Sequence, residues 1–196
     1  MSHSRDDLVA AALRLLDDHG LADLSMRRVA GELGLQPSAL YHHVSNKQQL
    51  LGLVSDALLE RAFHPGPATT WDTRLVAVAA ALRDALLAFR DGAELVASTI
   101  AFGLGGRAPY DALVSALDGS DVSAGQRPTA ARTVLHYVLG QTLQEQTRLQ
   151  ADSLGALPTG VSGPAVEESD FLDGLAMVVD GVRVRAAAGS RVDEGA

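Results

Sequence analysis

The chain contains no cysteine. Disulfides and cysteine–zinc sites are therefore excluded, and a cytoplasmic location is expected. Lysine is almost absent as well, with Lys47 its single occurrence. No apolar run reaches the roughly 18 residues of a membrane-spanning helix, so no membrane partner is expected. The opening Met-Ser-His-Ser-Arg-Asp-Asp has no apolar signal core, and no export is expected. Catalytic signatures are missing: there is no cysteine nucleophile, no Gly-x-Ser-x-Gly elbow, no phosphate-cradling glycine loop and no His-Glu-x-x-His. His42 and His43 are adjacent, so on a helix they diverge and cannot comfortably share one metal. Glu167-Glu168 lies in a Gly/Pro/Ser-rich stretch and reads as a solvated acidic pair. These absences predict no enzyme, no metal site and no cofactor. No period-two strand pattern and no internal repeat occurs either, which leaves an all-α fold.

What is present is a chain of 196 residues, 20% of them charged, enough for a small head and one larger domain with a core. A first helix is expected over residues 5–19, with Ser4 as cap, Asp6 and Asp7 at its positive end, and Leu8, Ala12, Leu15 and Leu16 on one face. Gly20 should end it in the left-handed conformation. Asn46 should cap a fourth helix over about 47–62, and His64-Pro-Gly-Pro-Ala-Thr-Thr70 is the clearest boundary. Helices are then expected over about 71–90, 93–104 (ending at Gly105-Gly106), 109–117, 128–151 with Pro128 as its first residue, and 169–187 with Ser169 as cap. Residues 152–168 read as a loop and Gly189–Ala196 as a frayed tail.

Residues 24–47 are the centre of the reading. Ser25 is a good N-cap, and Val29, Ala30 and Leu33 form an apolar face behind Arg27, Arg28 and Glu32. Gly34 can take a positive φ and stop this helix. Gln36-Pro37-Ser38 restarts the chain, proline fitting a first-turn position where its missing N–H costs nothing. Leu40 and Val44 then face inward, while Ser38, Ala39, Tyr41, His42 and His43 face out. Two short helices around a glycine turn fit either a generic αα-hairpin or a helix-turn-helix whose second helix enters the DNA major groove.

The net charge of −8 argues at first against nucleic acid, but its distribution matters more. Residues 25–48 hold Arg27, Arg28 and Lys47 against Glu32 alone. An acidic body would confine DNA contact to that face. As a helix-turn-helix, the stretch would clamp phosphates with Ser25, Tyr41 and Lys47, with Arg28 adding positive charge. Arg27 is the best base contact, since a guanidinium can grip guanine O6 and N7 together. Gln36, Pro37, Ser38, Ala39 and His42 would line the exposed edge of the second helix, and His43 could reach phosphate or base. The alternatives are a packed aromatic for Tyr41 and a solvated side chain for His43.

The order Leu-Ser-x-Arg-x-Val-Ala-x-x-Leu-Gly, followed by Leu40-Tyr41-x-His43-Val44-x-Asn46-Lys47-x-x-Leu50-Leu51, resembles the tetracycline-repressor (TetR) family. The resemblance is strong over roughly residues 4–63. In the body, Phe89-Arg90-Asp91-Gly92-Ala93, His136-Tyr-Val-Leu-Gly140-Gln-Thr-Leu143-Gln-Glu-Gln146 and Phe171-Leu-Asp-Gly174-Leu175 resemble the ligand-binding domain of the tetracycline-repressor class itself. The resemblance implies a helix-turn-helix domain over 1–46, a connecting helix over 47–63, and a helical ligand-binding and dimerisation domain over 71–188. It also implies a homodimer paired through its two long C-terminal helices, with Gly140, Gly174 and Gly181 allowing close approach, unless these glycines merely weaken their helices by about 1 kcal/mol each. A dimer suits a palindromic double-stranded operator, whose half-sites lie about one DNA turn apart.

The departures from that class are informative. Val96 and Gln144 stand where the class carries its magnesium-linked histidine and glutamate, and Phe63, Val78 and Leu82 replace drug-contacting polar and aromatic residues. Valine and a neutral amide are poor ligands for a hard divalent cation. No magnesium–tetracycline binding is therefore expected. The expected effector is a small, more apolar organic molecule enclosed by Phe63, Val78, Leu82, Val96, Thr99, Ile100, Phe102, Leu135 and Gln144, unless these residues are plain core. The leading expectation is a ligand-released repressor. The alternatives are an activator or ligand-independent regulator of the same fold, and a helical binding or scaffold protein that does not touch DNA.

Overall fold

The computed structural model describes residues 3–60, 70–156 and 168–193, and no strand occurs among them. The helices are α1 (Arg5–His19), α2 (Met26–Glu32), α3 (Pro37–Leu40), α4 (Lys47–Glu60), α5 (Trp71–Leu87), α6 (Gly92–Ala101), α7 (Ala108–Ala116), α8 (Arg127–Ser153) and α9 (Glu168–Asp193). The described residues divide into two compact units. One takes those up to Glu60 with Asp84–Ala108; the other takes residues 70–83 with those from Pro109 onward.

Local chemistry sets most helix ends in the first unit. Ser4 caps α1 in a reciprocal box: its hydroxyl accepts from the Asp7 N–H at 3.1 Å, and its own N–H donates to the Asp7 carboxylate at 2.7 Å. The Ser4 backbone amide is also the main reason the Asp7 carboxyl titrates below its ordinary range. Gly20 ends α1 with φ 80° and ψ 174°, a positive φ but not the expected left-handed helical conformation. Ser25 caps α2 by accepting from the Arg28 N–H at 3.3 Å. That helix closes in a Schellman turn, with Leu35 N–H donating to Ala30 O at 2.8 Å, Gly34 N–H donating to Gly31 O at 3.1 Å, and Gly34 at φ 67°. The same device ends α6: Leu104 N–H reaches Thr99 O at 2.9 Å around Gly103. The helix therefore stops at Ala101, before the Gly105-Gly106 pair expected to end it. Asn46 caps α4 by accepting from the Gln49 N–H at 2.8 Å, while Gln49 Oε1 accepts from the Ser45 N–H at 2.6 Å. The expected extension of α4 to residue 62 and Phe63 lies outside the described residues.

The core of this unit holds Leu8, Leu15 and Leu16 of α1, Val29 of α2, Leu40 of α3, Leu50, Val54 and Leu58 of α4, and Leu95 and Val96 of α6, all buried. Helix α4 packs against both α1 and α6, and α2 packs against α1 and α3.

In the second unit, Leu75, Ala79 and Leu82 form the buried stripe of α5. Helix α8 packs on α9, with Val134, Leu135 and Val138 facing the core from one and Phe171, Leu175 and Val179 from the other. Buried Arg83 makes a two-pronged bond to Glu145, at 3.0 and 2.7 Å, and lies over the Phe171 ring at 5.2 Å. Tyr137 donates to Phe171 O at 2.8 Å and fills the space over Gly174, where a Cβ would stand 2.3 Å from its hydroxyl oxygen. The room that Gly174 leaves is thus occupied within the chain and is not free for a second copy, whereas Gly140 and Gly181 meet nothing within 4 Å. Helix α8 begins at Arg127, so Pro128 sits inside its first turn, and Ser169 likewise lies inside α9, which begins at Glu168. Helix α9 runs to Asp193, into the stretch expected to fray from Gly189. A single glycine, Gly189, costs only about 1 kcal/mol and does not stop a helix supported by an alanine-rich run.

Candidate DNA-binding face and effector residues

The α2–turn–α3 segment presents its polar side chains on a scaffold fixed from below. Val29, Ala30, Leu40 and Val44 are buried. Arg27, Arg28, Gln36, Pro37, Ser38, Tyr41 and His42 are exposed, and Ser25, Ala39, His43 and Lys47 are half-buried. All eleven candidate DNA-contacting residues are therefore open to solvent on one short segment and its flanks. The second helix is a single α-turn, Pro37–Leu40. It continues through i→i−3 bonds, Tyr41 N–H to Ser38 O at 3.3 Å and His43 N–H to Leu40 O at 2.9 Å. Such a tightened turn has poorer hydrogen-bond geometry and is used in short pieces like this one. Tyr41 is 55% exposed, which excludes the packed-aromatic reading of this residue.

The charges around this face differ from a simple count. Arg28 Nη1 meets Asp23 Oδ1 at 3.0 Å, and Glu32 meets Arg14 Nε at 3.6 Å. Arg27 and Lys47 have no ion-pair partner among the described residues. The Asp23–Arg28 pair was open to sequence reasoning, since the two are five residues apart, but Asp23 stands just before the cap that marks the start of α2.

Residues 8–54 match the model of bacterial regulatory proteins of the tetR family, and residues 64–171 match that of the tetracyclin repressor-like C-terminal domain. The chain belongs to the TetR family. It is a DNA-binding transcriptional regulator. It is 32% identical to the tetracycline repressor protein class A from transposon 1721 of Escherichia coli, over 91% of this chain and 89% of that protein. The fold is similar to that of BioQ from Mycobacterium smegmatis, with TM-score 0.83, 43% identity, and 92% of this chain and 98% of that one covered. A structure of BioQ with its natural double-stranded DNA operator is similar too, at TM-score 0.78 and 41% identity over 92% of this chain and 98% of that one.

The residues expected to enclose an effector fall into both units of this TetR-family chain. In the first unit Val96 and Thr99 are buried on α6 and Ile100 is half-buried. The Thr99 hydroxyl lies 3.0 Å from Val96 O and 2.9 Å from the buried Ser55 hydroxyl, so its hydrogen-bonding capacity is used within the unit. Phe102 is 75% exposed, because it stands at the cap of α6 where the chain turns outward. In the second unit Leu82 and Leu135 are buried and Val78 is half-buried. Gln144 is exposed: the buried polar residues of α8 are Thr142 and Gln146, one helical face away. Phe102 and Gln144 are therefore not enclosed in the single chain, contrary to the expectation. Phe63 lies outside the described residues.

Sequence reasoning also missed Asp91. It is in the left-handed region, with φ 55° and ψ 20°, and its carboxylate accepts from the Leu21 N–H at 2.7 Å. The Asp-Gly pair at the head of α6 was the available signal, since aspartate tolerates this conformation better than most residues. Among the described residues no group of three histidines or carboxylates is placed to hold a metal.

Proposed function

We propose that this TetR-family regulator is a cytoplasmic repressor that binds a palindromic operator as a homodimer and leaves it when a small, apolar organic molecule binds. Residues 1–46 carry the DNA contacts, residues 47–63 link them to the body, and residues 71–188 carry the effector and the dimer contacts. The observation that carries the reading is the row of exposed polar and cationic groups, Arg27 to Lys47, on the buried Val29–Leu40–Val44 base. Arg27 reads a base edge, and Ser25, Tyr41 and Lys47 grip phosphates. The operator-bound relative and the tetracycline repressors among the relatives support operator binding.

The dimer is supported by the apolar side chains that α8 and α9 leave uncovered. Leu149 is 59%, Met177 74% and Val184 68% exposed, beside the less exposed Leu143 and Leu172 on the same two helices. The effector's character follows from the side chains at the expected positions. Val78, Leu82, Val96, Ile100 and Leu135 offer no side-chain oxygen to a hard cation, Gln144 offers only a neutral amide and the Thr99 hydroxyl is bonded to Ser55 and Val96 O, so the ligand is not magnesium–tetracycline. Release requires that the effector prefer the non-binding arrangement, and a preference of a few kcal/mol is enough.

Anisotropy titration against the duplex flanking the coding region, at stated salt, tests this reading. Specific binding that is lost in Arg27→Ala and Tyr41→Ala and reversed by an apolar compound supports it. Release by magnesium–tetracycline would refute the assignment of Val96 and Gln144. A monomer by sedimentation at micromolar concentration would refute the dimer.

A further inference from the structure

Two adjacent arginines at the start of α2 are held differently. Arg27 is exposed and has no ion-pair partner among the described residues. Arg28 is clamped at both ends: its N–H donates to Ser25 Oγ at 3.3 Å, and its guanidinium meets the Asp23 carboxylate at 3.0 Å. Both side chains of that pair are open to solvent, 42% and 61% exposed. An exposed ion pair is weak, so a phosphate brought to the same place can exchange with the carboxylate. Phosphate and carboxylate offer a guanidinium the same two-oxygen geometry and so compete for it.

From this arrangement we propose that Asp23 is an electrostatic brake on DNA binding. It occupies Arg28 in the free protein and lowers the sequence-independent part of DNA affinity. The proposal rests on the reading of α2 and α3 as the DNA face. It follows from Coulomb bookkeeping on a face with few cations. Glu32 is already engaged by Arg14 at 3.6 Å, so Asp23 is the acid that decides how many of Arg27, Arg28 and Lys47 are available to phosphate. With Asp23 in place, docking on DNA must trade one ion pair for another and gains little. Without it, Arg28 adds a full phosphate contact with release of its counterion. The effect is the same for every duplex, because phosphates carry no sequence information.

The test uses the full chain and a random-sequence duplex of about 30 base pairs, titrated by anisotropy between roughly 50 and 200 mM salt, since binding to such DNA is almost wholly electrostatic. Asp23→Asn is expected to bind more tightly, with a salt slope steeper by about 0.9. Its advantage over the parent should shrink about 3.5-fold across that salt range, the value a slope change of that size gives for a fourfold change in salt. In an Arg28→Ala background the same substitution should give no comparable gain. An unchanged slope in Asp23→Asn, or an equal gain with and without Arg28, overturns the proposal, the latter because it would mean simple repulsion between Asp23 and DNA. Lys47→Ala separates this failure from a failure of the DNA-face reading. If Lys47→Ala weakens binding and Asp23→Asn changes nothing, the brake alone is wrong. If neither Lys47→Ala nor Arg28→Ala weakens binding, the face itself is wrong.

Discussion

Asp91 is where a local cost and a long-range gain can be weighed against each other. It is the only non-glycine residue at positive φ among the described residues. Holding an L-residue with a Cβ there costs about 1 kcal/mol. Against this, its carboxylate accepts the Leu21 N–H at 2.7 Å, tying the start of α6 to the turn after α1. A hydrogen bond to a charged acceptor contributes about 1.5–3 kcal/mol. The approach is close: a Cβ on Gly20 would stand 2.5 Å from Asp91 Oδ2. Asp91→Asn keeps an acceptor and tolerates the backbone, and should lose about 1 kcal/mol. Asp91→Gly relieves the strain but loses the bond and gains freedom in the unfolded chain, for a net loss of about 1–2 kcal/mol. Asp91→Ala keeps the strain and loses the bond, about 2–3 kcal/mol. Hydrogen exchange at the Leu21 amide reads the local part directly: about fivefold faster in the asparagine variant and thirtyfold or more in the alanine variant, at roughly 1.4 kcal/mol per tenfold. A glycine variant as stable as the parent, with Leu21 exchange unchanged, would refute the reasoning, because the strained backbone would then be held by something other than this bond.

Other expectations follow from single contacts. A Cβ at Gly52 would stand 2.1 Å from the Leu104 carbonyl oxygen, a backbone atom that cannot swing aside. Gly52→Ala should therefore cost about 2–3 kcal/mol and lower the melting temperature by about 5–10 °C, and a melt within about 2 °C of the parent would count against that packing. The buried Thr142 hydroxyl has no hydrogen-bond partner among the described residues. Thr142→Val should stabilise the chain by about 1 kcal/mol in urea denaturation, and a loss of stability would mean that the hydroxyl is satisfied by a bound water. The Asp72 carboxyl is lowered to about 2, mainly by the Thr70 side chain and then by Arg183. Its folded value lies below the unfolded one, so its contribution is present above about pH 4 and is lost as pH falls toward 2. The difference in urea midpoint between the parent and Asp72→Asn should therefore shrink over that window; a constant difference would show that the pair does not titrate with folding.

Most of the helices, and most of their ends, are legible in local sequence signals. Ser4, Ser25 and Asn46 act as caps because a short polar side chain can reach an amide two or three residues on. Gly34 marks its turn because only a residue without a Cβ takes that φ cheaply. The buried face of α1 followed from apolar spacing, and the outward set from Arg27 to Lys47 is the complement of the buried Val29–Leu40–Val44 base. The tertiary structure alone decided which polar groups are used up. Arg83 and Glu145 are 62 residues apart, Asp91 and Leu21 are 70 apart, and Tyr137 and Phe171 are 34 apart. Local signals reach about one helical turn, so none of these pairs is written in the sequence around either partner. The same holds for exposure on amphipathic helices of low contrast. On α8 the polar residues inside are Thr142 and Gln146, while Leu149 and Gln144 lie outside. Spacing alone does not separate Leu143 and Leu149, which are exposed, from Leu135 and Leu139, which are buried; the packing of α8 on α9 selects which side is turned inward.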